Sequence, residues 1–113
     1  MAAIKSFTSL EQSKKLEGIL PLESADMYYW CADHYPKENW IIEVGTPDDN
    51  YECICAWSLA ALLGVLPEKY TELIKEGGMY RIIIKDSFMT CLFDNPIDAC
   101  YELITKLYEV KLI

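Results

Sequence analysis

At 113 residues and 13.0 kDa the chain has the size of one domain, and 52% apolar against 25% charged residues excludes a disordered protein. Acids outnumber bases 18 to 10, a net charge of -8. That balance argues against nucleic acid or an anionic membrane as the partner, because both need a positive surface.

The N-terminal Met1-Ala2-Ala3-Ile4-Lys5 opens no apolar run of signal-peptide length. The longest apolar stretch, 57–67, is too short to span a bilayer. A cytoplasmic protein is expected. The five cysteines, Cys31, Cys53, Cys55, Cys91 and Cys100, are odd in number and irregular in spacing, which suits a reducing compartment better than a disulfide framework. Cys91 and Cys100 read as small buried hydrophobes.

In chain order, Thr8-Ser9-Leu10-Glu11 has the capping-box pattern and predicts a helix from about Thr8, weakened by Gly18 and ended by Pro21. Residues 25–31 are rich in strand-favouring aromatics, and 40–44 form a second strand with Trp40, Ile42 and Val44 on one side. Residues 45–51 read as a polar loop. Residues 57–63 predict a short buried helix stopped by Gly64. Pro67 opens a second helix over 67–76, with Tyr70, Leu73 and Ile74 as its apolar face and Gly77 at its end. Strands follow at 79–84 and 88–93 as a hairpin. Asn95-Pro96-Ile97-Asp98 is a strong helix start, continued by apolar residues at helical spacing to Tyr108. The expected fold is one α+β domain over 1–113, in the order α-β-β-α-α-β-β-α. Its four-stranded, mainly antiparallel sheet would carry its helices on one face.

Charge and aromatics concentrate together. Residues 17–52 hold nine acids and one base, and seven of the fourteen aromatics lie between Tyr28 and Trp57. This suggests an interaction surface made by Tyr28, Trp30, Trp40, Asp48, Asp49 and Glu52, with an acidic rim that would steer a basic protein. The plainer reading is that the strand aromatics are core and the acids a solvated face.

Other chemistries have thinner support. Cys31, His34, Cys53 and Cys55 are a weak zinc set, since zinc pairs usually keep two or more residues between their cysteines. No other metal or cofactor is implied. His34 is the single histidine, and nothing marks a nucleophile for it. Asp48-Asp49-Asn50-Tyr51-Glu52 lacks the spacing of a calcium loop. Gly77-Gly78 precedes a strand, so it is not a phosphate loop. Residues 58–76 and the following hairpin resemble a winged helix-turn-helix. Yet the second helix would carry Glu68, Glu72 and Glu76 against Lys69 and Lys75, which repels phosphate. A small-molecule or enzymatic site on an open sheet face is a third reading. The apolar end, Val110-Lys111-Leu112-Ile113, needs cover from its own sheet or from a second subunit.

Residues 7–16 (Phe7-Thr8-Ser9-Leu10-Glu11-Gln12-Ser13-Lys14-Lys15-Leu16) and 19–27 (Ile19-Leu20-Pro21-Leu22-Glu23-Ser24-Ala25-Asp26-Met27) resemble a run found in short uncharacterised proteins of gut Bacteroides-group bacteria and their phages. Residues 57–63 and 95–100 are similar to two further segments of that family, whereas 30–56 are not. The resemblance implies a phage or mobile-element context and carries no catalytic residues. The leading expectation is a non-enzymatic, cytoplasmic protein–protein interaction module.

Overall fold

The computed structural model describes residues 5–31, 40–46, 52–67, 71–85, 88–90 and 92–113. Its elements run α1 (Leu10–Glu17), β1 (Met27–Cys31), β2 (Ile41–Val44), β3 (Glu52–Ala56), α2 (Leu59–Val65), β4 (Thr71–Glu76), β5 (Met79–Ile84), β6 (Phe88–Met89) and α3 (Pro96–Glu109). A 3-10 turn at Leu22–Ser24 links α1 to β1. The class is α+β as expected, but the single four-stranded sheet is not what forms. The strands make two antiparallel sheets, β2-β1-β3 and β4-β5-β6.

Two local features account for the difference. Residues 52–56 form a strand that pairs along the far side of β1, so β1 is the centre of the first sheet. Residues 71–76 are a strand where 67–76 was expected to be helical. Gly77 and Gly78 have φ of +56° and +80°, and Glu76 faces Met79 across them. A two-residue turn with both central residues left-handed matches the right-handed twist of a hairpin, and Gly-Gly enters it without a Cβ penalty. The glycines therefore close a hairpin instead of ending a helix. The second half of the expected helix-turn-helix over 58–76 is accordingly β4. The hairpin at 79–84 and 88–93 is present, with regular pairing at Ile83–Met89 and Ile84–Phe88 and an isolated bridge from Tyr80 to Phe93.

The helix ends follow local chemistry. Ser9, rather than Thr8, caps α1: its hydroxyl accepts from the Gln12 amide at 3.1 Å, and the Gln12 side chain accepts from the Ser9 amide at 3.1 Å. Thr8 is buried, and its Oγ1 accepts from the Trp57 amide. Gly18 caps α1 at its C-terminal end, before Pro21 is reached. Ser58 caps α2, and the Asp26 carboxylate accepts from both the Ser58 amide and its hydroxyl. Gly64 does not stop α2, which continues to Val65. Asn95 caps α3 by accepting from the Asp98 amide at 2.9 Å, with Pro96 in the first turn, as the sequence predicts.

One core joins the two sheets. Leu16, Leu20, Trp57, Leu62 and Leu66 meet Ile82 and Ile84 of β5 and Ile97, Cys100, Leu103, Ile104 and Leu107 of α3. Trp57 is fully buried, and its indole Nε1 donates to Ser24 Oγ at 2.9 Å. A smaller cluster of Tyr29, Ile54 and Ala56 lies under Phe7, Leu10, Met27, Trp40 and Ile42. Among the described residues no helix is long and apolar enough to cross a membrane. The C-terminal Val110, Leu112 and Ile113 remain exposed in the single chain.

Candidate functional site

Strand alternation sorts the first sheet into two faces. Directly opposed residues share a face, so Tyr29 groups with Ile42 and Ile54, and Tyr28 groups with Glu43 and Cys55. The Tyr29 face is core. Phe7 meets the Tyr29 ring edge-on with centroids 6.4 Å apart, and Tyr29 Oη donates to the Thr8 carbonyl at 2.7 Å. Burial pushes the Tyr29 phenol above its ordinary value.

The opposite face carries Tyr28 and Trp30 of β1, Ile41 and Glu43 of β2, and Cys53 and Cys55 of β3, with Cys55 buried in the main core. Tyr28, Trp30 and Cys53 are half-buried, whereas Ile41 and Glu43 are exposed. Tyr28 Oη donates to Glu43 Oε2 at 2.8 Å. Two flat aromatics about 7 Å apart along the strand, an exposed Ile and a carboxylate thus share one surface.

Of the six surface residues expected from sequence, only Tyr28 and Trp30 come together here. Trp40 lies on the core face, packed against the Tyr29 cluster. Glu52 is exposed but opposes Cys31, on the Tyr29 face. Asp48 and Asp49 lie outside the described residues. Ile41 and Glu43 were missed, although strict alternation from Trp40 points them opposite to Trp40 and Ile42.

The acidic segment also divides by role. Glu17 Oε2 accepts from the Cys55 amide at 2.9 Å, and Asp26 holds Ser58. These two carboxylates satisfy backbone donors inside the fold. Glu23, Glu43 and Glu52 remain exposed. Asp33 and Glu38 lie outside the described residues, as does His34.

The register separates the suggested zinc set. Cys31 sits on the Tyr29 face, and Cys53 and Cys55 on the Tyr28 face. The sheet stands between them, so these thiols cannot converge on one ion. Among the described residues no group of three or more His, Cys, Asp or Glu side chains is placed to hold a metal. Burial, then the charge and hydrogen bond of Glu17 and the nearby Cys53, raise the Cys55 thiol. Burial alone pushes Cys100 up to about 12. Such thiols stay protonated and are poor nucleophiles.

A groove of about 620 Å³ lies between α1 and α3, lined in part by Lys5, Gln12, Lys15, Asp98, Tyr101 and Glu102. Asp98 is part of its lining. Oδ1 accepts from Lys5 Nζ and Gln12 Nε2, each at 2.8 Å, and Oδ2 accepts from Asn95 Nδ2 at 2.8 Å. Burial pushes this carboxyl up. The hydrogen bonds of Lys5, Asn95 and Gln12, with the Lys5 charge, outweigh that and hold it below its ordinary value. Asp98 is a clasp between the N-terminal segment, α1 and α3, and its acceptors are already committed.

No family model, curated protein or solved structure matches the chain.

Proposed function

We propose that the protein is a non-enzymatic interaction module, of phage or mobile-element origin, that binds a basic protein through the Tyr28 face of its first sheet. The observation that carries this reading is the grouping of Tyr28 and Trp30 with the exposed Ile41 and Glu43 at the margin of that sheet. Tyr and Trp supply large contact area at low entropic cost, and a carboxylate beside them selects for positive charge. The net charge of -8 extends that selection to long range. The working compartment in this reading is the cytoplasm.

The test compares tagged wild-type protein with Glu43→Lys and Trp30→Ala variants in capture from bacterial lysate, with and without nuclease, at low and high salt. The expected result is a discrete protein band that survives nuclease, weakens with salt and is lost from both variants while their circular dichroism is unchanged. A band that vanishes with nuclease would replace this reading with DNA binding. Capture unchanged in Glu43→Lys would overturn the surface.

A further inference from the structure

The two sheets have four outer edges, and three of them are closed or guarded. On β3, the Cys55 amide is taken by Glu17, the Trp57 amide by Thr8 Oγ1, and the Trp57 carbonyl accepts from the Thr8 amide at 3.0 Å. Among the described residues the regular part of β6 is two residues long, Phe88–Met89. The β4 edge carries Glu72, Lys75 and Glu76, the charged residues with which natural sheets deter edge pairing. The β2 edge, Ile41-Ile42-Glu43-Val44, is β-branched apart from Glu43, with Ile41 43% and Val44 79% exposed. Among the described residues no strand lies beyond it.

The hydrogen bonds show which β2 groups face outward. The Gly45 amide donates to the Asp26 carbonyl at 2.9 Å, toward β1. Antiparallel pairs alternate between hydrogen-bonded and non-hydrogen-bonded. Glu43 and Ile41 therefore direct their backbone groups toward β1, and Ile42 and Val44 direct theirs away from the sheet. The other side of β1 agrees independently. Cys55, opposite Tyr28, sends its amide outward to Glu17, so Tyr28 is left to bond with Glu43.

We infer that β2 is a strand-addition edge, taking an extended segment of a basic protein through the outward backbone groups of Ile42 and Val44, with a Lys or Arg of that segment opposite Glu43. This deepens the proposed function and rests on it. The residue facing Glu43 falls in a non-hydrogen-bonded pair, where Cα atoms approach to about 4.5 Å and side chains are closest. Tyr28 and Trp30 lie on the same face as Glu43, one strand further in. A second copy of this chain fits less well. Self-pairing centred on Glu43 sets two carboxylates in a close pair, and self-pairing centred on Ile42 puts Glu43 against Ile41, neutralising no charge.

The probe is a fluorescein-labelled eight-residue peptide of alternating valine and lysine, titrated with the full chain at low salt and read by anisotropy. Its comparator is the same peptide N-methylated at every valine, which keeps the charge but cannot pair as a strand. Saturable binding that falls at least tenfold on N-methylation, in Val44→Pro and in Glu43→Lys is expected. Proline is tolerated at Val44 because that amide faces away from the sheet, and the peptide comparator reports even if Val44→Pro fails to fold. Equal binding of both peptides, lost in Glu43→Lys, would overturn strand addition and leave the acidic surface standing. Absence of saturable binding would overturn strand addition. A dimer by light scattering that dissociates in Val44→Pro would assign the edge to a second copy and overturn the basic partner.

Discussion

Asp98 links residues 93 positions apart through its ion pair with Lys5, both side chains 30% exposed. Such a half-exposed pair is worth little alone, but the added hydrogen bonds from Gln12 and Asn95 make it a network. Because its carboxyl is held below the ordinary value of 3.8, the contribution is complete above that pH and disappears as pH falls through the lower folded value. We expect Asp98→Asn to lower stability by about 1–2 kcal/mol at neutral pH. The gap from wild type should narrow as pH falls below 3.8. Urea unfolding of both proteins across that range checks it, and a gap independent of pH would show that the charge of Asp98 is irrelevant. Thr8 shows why single residues are hard to read in advance. Its position in the capping pattern makes it a helix cap, yet its hydroxyl is taken by Ser13 and by the Trp57 amide. Only the neighbouring strand extension, unseen in the local sequence, decides between the two uses.

Among the elements, the legible ones were those whose signals are local. The cap and proline of α3 fall where the residues say, and β5 and the hairpin after it are legible as two strand-like runs on either side of Asp86-Ser87. The failures had competing local signals. Leu73 and Ile74 with Tyr70 fit a helical face, whereas the Gly77-Gly78 turn and pairing with β5 favour a strand, and the turn wins. β3 was missed because Glu52-Cys53-Ile54-Cys55-Ala56 is buried on both faces at its end and shows no alternation. The same logic explains the candidate site. The aromatics were visible by composition, but dividing Tyr28 and Trp30 from Trp40 needed the register. The end of α3 offers a sharper test of element chemistry. The Leu112 amide bonds back to the Leu107 carbonyl at 2.8 Å and the Lys111 amide to the Tyr108 carbonyl at 3.0 Å, the Schellman arrangement, with Lys111 at φ +62°. That position favours glycine. Lys111→Gly should raise stability by about 0.5–1 kcal/mol, seen as a higher midpoint in thermal unfolding. A lower midpoint would show that the lysine side chain stabilises this end.

At the scale of the whole molecule, the two sheets share no strand, yet one core spans them. Trp57, Leu62 and Leu66 connect Leu16 and Leu20 to the β5 and α3 side chains. The protein should therefore unfold as one unit. Leu62→Ala, at a side chain with no exposure, is expected to cost about 3 kcal/mol. Tryptophan fluorescence and far-ultraviolet circular dichroism should shift together. Separate transitions would mean that the sheets are independent. The Asp98 clasp adds a consequence in time. During synthesis α1 leaves the ribosome before α3. The acceptor for Lys5 and Gln12, and the α3 side chains that meet Leu16 in the core, are made only after α1 and both sheets. A nascent chain arrested before Asn95 thus carries Leu16, Trp57 and Ile82 without the helix they pack against, and its core closes only once α3 has been made.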